Sequence, residues 1–204
     1  MFRNFFVAIA SALIASVLPG ATPPSVVGVE RVTGVVLEDG AGDVWGSVGD
    51  EPGQVDHVTF PPADVKRVLV RHATYAVRIR MQFVDLRRVG RQEFAAGIWT
   101  SPDTRPYLAG VISKPGNRRG FHFFAQGGGS GSCPGVTHRI DYSRNVVQMR
   151  IPRSCLGRPA WVTVQLDNSL ETVAPCPERQ YMDNPHNHEG FPSLAERTRR
   201  LYRE

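Results

Sequence analysis

Polar and apolar side chains alternate on both sides of a short polar turn between residues 136 and 151. This period-two pattern predicts an antiparallel hairpin with one buried face. Because cross-strand partners share a face, the apolar residues must pair with each other. The expected pairs are Ile140 with Val147, His138 with Met149, and Val136 with Ile151.

Residues 68–83 alternate in the same way around a four-residue loop at 73–76. The predicted pairs of this second hairpin are His72 with Val77, Val70 with Ile79, and Val68 with Met81. A histidine on the apolar face of a hairpin is expected to be partly buried and satisfied by backbone, rather than to bind a ligand. This interpretation applies to both His72 and His138.

The chain has 3 cysteines, and two of them flank the hairpin at 136–151. Cys133 and Cys155 are one residue out of step with its register, a slip that the neighbouring Pro134-Gly135 or Pro152 can absorb. We therefore predict a Cys133–Cys155 disulfide. The ring of about 23 residues that it closes would stabilise the fold by about 3 kcal/mol. Cys176 lies between prolines and is expected to be free or intermolecular, although it could displace one partner of the predicted bridge.

Further short strands are predicted at residues 30–37, 94–100, 107–113, 120–125 and 161–166. The Gly-rich residues 46–62 and 126–132 are interpreted as loops, as is the Asx- and His-rich start of the segment 181–204. Repeated short strands without intervening amphipathic helices predict an all-β fold. The expected architecture is a two-sheet antiparallel β-sandwich with an irregular N-terminal segment and a short C-terminal tail or helix.

The N-terminus has the pattern of an export signal. Arg3 precedes an apolar run of about 14 residues, which is shorter than the roughly 20 residues of a membrane span. We expect residues 1–21 to be a signal peptide, 22–29 a linker and 30–204 a single domain; an uncleaved anchor is the alternative. The remaining chain has no second apolar run, so no membrane span is expected after signal removal. The expected location is secreted, extracellular or cell-envelope associated.

The chain carries 24 Lys+Arg against 19 Asp+Glu, and arginine supplies nearly all of the positive charge. Such an excess favours acidic partners such as envelope polymers. No serine-hydrolase, metalloprotease or phosphate-loop motif is present, so neither catalytic residues nor a cofactor are predicted. Nucleic acid is not among the expected partners.

Three stretches of the chain resemble a group of small secreted actinobacterial proteins without an assigned activity. They are ADV…VRH…VRIR…DL within residues 63–86, IPRSCLGRPAWV at 151–162, and YMD…S…R within 181–197. The resemblance covers roughly residues 30–204. It implies a sandwich like the DOMON and family 9 carbohydrate-binding domains, by analogy of fold, and it implies no catalytic residue.

Aromatic residues at Trp45, Trp99 and Tyr107 could form a flat platform for a sugar ring, although aromatic residues in strands more often pack in the core. This ligand-binding prediction accompanies the main hypothesis. We expect a non-catalytic binding or accessory domain for cell-wall glycan or an acidic envelope polymer. A structural module that binds another protein is a further alternative, in which Cys176 would supply a covalent link.

Potential metal ligands cluster at Asp183, His186, His188 and Glu189. Imidazole and carboxylate groups suit zinc and similar ions, so a metal-binding protein or metal-dependent hydrolase is the second functional hypothesis. A solvated turn is the simpler interpretation. Oxygen ligands at Asp39, Asp43 and Asp50-Glu51 could gather around calcium, but their spacing fits no EF-hand and favours Asx turns.

Overall fold

The computed structural model describes residues 31–48, 56–101, 105–127, 129–172, 179–186 and 196–204. These residues form antiparallel strands and one 3₁₀ turn, Arg153–Leu156. The strands are β1 (Gly34–Glu38), β2 (Val44–Val48), β3 (Asp56–Val58), β4 (Val65–His72), β5 (Ala76–Phe83), β6 (Arg91–Trp99), β7 (Tyr107–Lys114), β8 (Asn117–Gln126), β9 (Gly129–Gly131), β10 (Thr137–Asp141), β11 (Val146–Pro152), β12 (Trp161–Thr172), β13 (Arg179–Asp183) and β14 (Leu201–Tyr202).

The strands form two sheets, which confirms the predicted all-β sandwich. Sheet 1 has the order β1-β4-β5-β11-β10, and sheet 2 has the order β3-β2-β13-β12-β6-β7-β8-β9 with β14 paired to β12. Neither sheet closes into a barrel. The inner faces of both sheets contribute to one apolar core, in which Phe83 of sheet 1 meets Phe94 of sheet 2 edge to face at a centroid distance of 5.4 Å.

Both predicted hairpin registers are confirmed. In β10–β11, Ile140 pairs with Val147 and His138 with Met149, whereas Val136 lies just before the first residue of β10. The β4–β5 hairpin has all three expected pairs, and its register shifts only between Val65 and Arg67. The local alternation was sufficient because a one-residue slip would turn every buried side chain outward.

The Cys133–Cys155 disulfide is also confirmed, with a Cα–Cα distance of 5.7 Å. Strand β11 ends at Pro152, and Cys155 lies in the 3₁₀ turn that follows it. On the other side, Gly135 has a φ of 88°, a left-handed conformation that glycine adopts without strain. The turn and the strand end together absorb the mismatch in register between the two cysteines.

His72 and His138 both bind backbone carbonyls, as the alternation predicts. The Nδ1 atom of the fully buried His72 donates to the Leu201 carbonyl at 2.9 Å, and a ring nitrogen of His138 donates to the Arg119 carbonyl at 3.0 Å. Burial lowers the pKa of His72, and the nearby charges of Arg153 and Arg203 act in the same direction. His72 is therefore neutral in the folded protein at neutral pH.

Three segments whose composition predicts loops contain strands instead, so this part of the prediction is wrong. The interpretation missed β3 and the end of β2, missed β9 in the glycine-rich stretch, and missed β13 before the histidine-rich residues. These strands are short, and β9 consists of Gly-Ser-Gly, so no alternation reveals them. In the structure, β3 is defined by its pairing with β2, β9 by its pairing with β8, and β13 by its pairing with β12 and β2.

The C-terminal residues 196–204 contain strand β14 and no helix. Of the two predicted alternatives, a tail or a helix, the structure therefore has an ordered tail that forms a strand. The Thr198 N–H donates to the Val164 carbonyl at 2.8 Å, which fixes the tail along β12. The predicted signal peptide and linker, Asp50-Glu51 and Cys176 lie outside the described residues. Within the described residues, no helix has the length and apolar character needed to cross a membrane.

Candidate functional site

The outer face of sheet 1 carries six arginines, which we call the arginine face. Their positions follow from strand geometry, because side chains of a strand alternate between the core and the outside. The inward-facing residues of β4, β5, β10 and β11 are apolar except for His72 and His138, and the arginines occupy the intervening outward positions. The members of the face are Arg67, Arg71, Arg78, Arg80, Arg139 and Arg150.

Three of these arginines lie in one row across three neighbouring strands. Arg71 of β4 is directly opposite Arg78 of β5, and Arg78 is directly opposite Arg150 of β11. Like charges in directly opposed positions destabilise a sheet. The row therefore works against the stability of the fold, which makes it a candidate for a binding function.

Acidic side chains neutralise only part of the face. Arg67 pairs with Glu38 at 3.1 Å, Arg71 with Glu204 at 3.1 Å, and Arg139 with Asp141 at 2.9 Å. With the other described residues, Arg78, Arg80 and Arg150 form no salt bridge. The centre of the arginine face thus keeps its positive charge.

A shallow concavity of about 430 Å³ lies among these arginines. Five of the six line it, all except Arg67, and the outward-facing, half-buried Leu69 contributes an apolar side chain. Guanidinium groups around a partly apolar depression can bind the planar anionic group of a ligand, while the carbon skeleton of the ligand packs against aliphatic atoms.

The aromatic residues of the proposed sugar platform are placed differently. Trp99 is 8% exposed, and the Arg197 guanidinium lies over its ring at 3.7 Å from the centroid. Tyr107 is half-buried against the core, and its hydroxyl accepts a hydrogen bond from Gln126 Nε2 at 3.2 Å. Both rings thus already have partners within the fold.

Trp45 is far from Trp99 in the same sheet. Trp45 pairs with Met182, Met182 with Ser169, and Ser169 with Glu93. Glu93 and Trp99 belong to the same strand, six positions apart, which corresponds to about 20 Å. The structure therefore does not bring the three predicted aromatic residues together on one surface.

The predicted metal ligands are only partly described. Asp183 is 2% exposed, and its carboxylate lies with those of Asp39 and Asp43. His186 is half-buried; burial lowers its pKa, while the Glu196 charge and the Val164 carbonyl oppose this shift. His188 and Glu189 lie outside the described residues, so the set of four ligands stays a prediction.

The buried carboxylates carry strongly shifted pKa values. Burial, with the charges of Asp183, Asp43 and Asp64, raises the pKa of Asp39 to about 9. Burial, with Asp43 and Asp64, raises the pKa of Asp183 to about 7, although the N–H of Val65 opposes the shift. Burial also raises the pKa of Asp64. The four carboxylates thus lie close enough to influence one another's charge.

Comparison of this chain with protein-family models, with curated proteins and with solved structures finds no significant match. The class of protein is therefore defined by its own geometry: an antiparallel β-sandwich with a basic outer face on one sheet. The sequence interpretation missed this face as a site. The signal was present, since Arg71, Arg78 and Arg150 all occupy outward positions of the two predicted hairpins.

Proposed function

We propose that this protein is a secreted, non-catalytic β-sandwich that binds an acidic envelope polymer through the arginine face. The observation that carries the proposal is the row of Arg71, Arg78 and Arg150 in directly opposed positions. Such a row lowers stability, and an anionic ligand would remove the repulsion. Export is expected from the N-terminal pattern, and the disulfide is compatible with an oxidising location.

The chemistry of the row favours carboxylate or sulfate groups. A guanidinium group presents a planar fork of donors that matches these anions in two-pronged hydrogen bonds. Neighbouring strands lie about 4.8 Å apart, so Arg71 and Arg150 are roughly 10 Å apart across the sheet. A polymer with repeated anionic groups can contact several arginines at once, whereas a single small anion cannot span the row.

A direct test measures binding of purified protein to polygalacturonate by calorimetry, with neutral dextran as the uncharged comparison. We expect binding to polygalacturonate that weakens as salt concentration rises, and no binding to dextran. The triple variant Arg78→Gln, Arg80→Gln, Arg150→Gln should bind at least tenfold more weakly. The reason is that three exposed ionic contacts of roughly 0.5–1 kcal/mol each are lost.

A matched control changes the same charge elsewhere. Arg87, Arg105 and Arg199 are exposed and do not line the concavity. Replacing all three with Gln should leave the affinity within about twofold of the wild type if binding is confined to the arginine face. Equal weakening in both triple variants would show attraction to net charge alone. Absence of wild-type binding to polygalacturonate, polyphosphate and dextran sulfate would refute the proposal.

A further inference from the structure

Four aspartates from three separate parts of the chain meet at one end of the sandwich. Asp39 and Asp43 belong to the connection between β1 and β2, Asp64 directly precedes β4, and Asp183 ends β13. Carboxylate oxygens of Asp39, Asp43 and Asp183 all lie within 4.8 Å of one another. Asp64 is near enough for its charge to raise the pKa of both Asp39 and Asp183.

Asp64 supplies an independent indication that a ligand belongs here. The residue is only 1% exposed, and its Oδ2 atom accepts a hydrogen bond from the Gly42 N–H at 2.8 Å. This bond holds the carboxylate against the loop that carries Asp43. Its other oxygen, Oδ1, is buried without a hydrogen-bond partner among the described residues. A buried carboxylate oxygen without a partner costs free energy that a bound cation would recover.

The backbone holds the carboxylates in place before any ion binds. Asp183 Oδ2 accepts a hydrogen bond from the Val65 N–H at 2.5 Å, and the Asp39 N–H donates to the Lys66 carbonyl at 3.1 Å. In addition, the Val84 N–H donates to the Asp64 carbonyl at 2.9 Å. The loop and the two strand ends are therefore anchored to one another, as a preformed site requires.

The donor atoms indicate which ion would fit. All four side chains offer carboxylate oxygens, which hard divalent cations prefer. Calcium–oxygen distances of about 2.3–2.6 Å place ligands on opposite sides of the ion roughly 5 Å apart, which agrees with the spread of the Asp39, Asp43 and Asp183 oxygens. Asp64 lies outside this set of three and is held beside the loop of Asp43 by its bond from Gly42. Magnesium requires shorter distances of about 2.1 Å and a stricter octahedral arrangement.

We propose that Asp39, Asp43, Asp64 and Asp183 form a calcium site that ties the β1–β2 connection and the end of β13 to the start of β4. This site shares only Asp183 with the metal ligands predicted at residues 183–189. It shares Asp39 and Asp43 with the calcium alternative that their sequence spacing disfavoured. It is independent of the arginine face, so failure of polymer binding would leave it standing.

Calcium alone is the probe for the first experiment. Protein treated with EGTA and then dialysed should bind calcium in a calorimetric titration with a Kd of about 1 mM or tighter, the range of extracellular calcium modules. Its thermal midpoint should rise by roughly 5–10 °C when calcium is present at about 100 times the Kd. Absence of binding at calcium concentrations up to about 10 times that upper limit of the Kd would overturn the assignment. An equal rise of the thermal midpoint with magnesium would overturn it too.

Two variants locate the site. Asp183→Asn keeps an oxygen that can accept from Val65 but removes the charge, and it should weaken calcium binding at least tenfold. Asp43→Asn changes a half-buried loop residue, and it decides the question if the first variant fails to fold. Asp85→Asn is the matched control, because Asp85 pairs with Arg87 outside the cluster. This variant should bind calcium like the wild type. Unchanged calcium affinity in a folded Asp43→Asn variant would overturn the proposal.

Discussion

The row of opposed arginines predicts that the change Arg78→Gln makes the folded protein more stable. Arg78 lies between Arg71 and Arg150, so removing its charge relieves two cross-strand repulsions. Each such pair contributes roughly 0.2–1 kcal/mol, and the free energy of unfolding should rise by about 0.5–1.5 kcal/mol at low ionic strength. Urea unfolding followed by tryptophan fluorescence in 10 mM salt measures this change.

Salt concentration and a charge-preserving variant isolate the cause. At 1 M salt the screening length is about 3 Å, which is shorter than the spacing of neighbouring strands, so the gain from Arg78→Gln should disappear. Arg78→Lys keeps the charge and should remain close to the wild type at both salt concentrations. A variant Arg78→Gln that is less stable than the wild type, or equally stabilised at both salt concentrations, would refute the electrostatic reasoning.

The same substitution should weaken polymer binding while it stabilises the fold. This opposite effect on stability and affinity is typical of residues that serve a binding site. Substitution of an exposed arginine that has no role in binding would change stability without changing the affinity for the polymer. Arg71 is a less suitable test, because its pairing with Glu204 offsets part of the repulsion.

Three further predictions concern the framework of the sandwich. Replacing both Cys133 and Cys155 with Ala should lower the free energy of unfolding in urea by about 3 kcal/mol, because the bridge joins residues separated by 22 positions. His72 has a lowered pKa, so the unfolded chain takes up a proton first as the pH falls below about 6.5; the wild type should therefore lose stability relative to His72→Gln in urea titrations from pH 7 to pH 5. The raised pKa values of Asp39 and Asp183 act in the opposite direction in both proteins, so the difference between the two proteins is the quantity to measure. Gly110→Ala would place its Cβ 2.4 Å from the Phe123 ring and should lower the thermal midpoint by several degrees, equivalent to about 1–3 kcal/mol.

Two of these predictions have a matched control variant. Cys176→Ala should not change the urea midpoint if the bridge joins the other two cysteines, and equal loss in the single variant would contradict the pairing. Gly129→Ala meets its nearest atom at an ordinary contact distance of 3.7 Å and should change stability little. A difference in stability between the wild type and His72→Gln that stays constant from pH 5 to pH 7 would contradict the account of His72.

Local pattern was sufficient for the hairpins but not for the candidate sites. The register of β10 and β11 follows from alternation over a few residues, and so does the position of the disulfide. Arg78 and Arg150 face each other only because β5 and β11 pair, and these strands are far apart in the sequence. Asp183 meets Asp39 through the order of strands in both sheets, which no local spacing encodes.

The acidic cluster and the arginine row lie at different ends of sheet 1, and this separation determines how the two proposed ligands can influence each other. Asp39 directly follows β1, whereas Arg71 pairs with Gly34 at the start of that strand, roughly 15–20 Å away. The screening length is about 8 Å at physiological salt, so calcium binding there should change polymer affinity little through charge alone. Coupling that persists at that salt concentration would have to pass through β1 and β4, which connect the two sites directly.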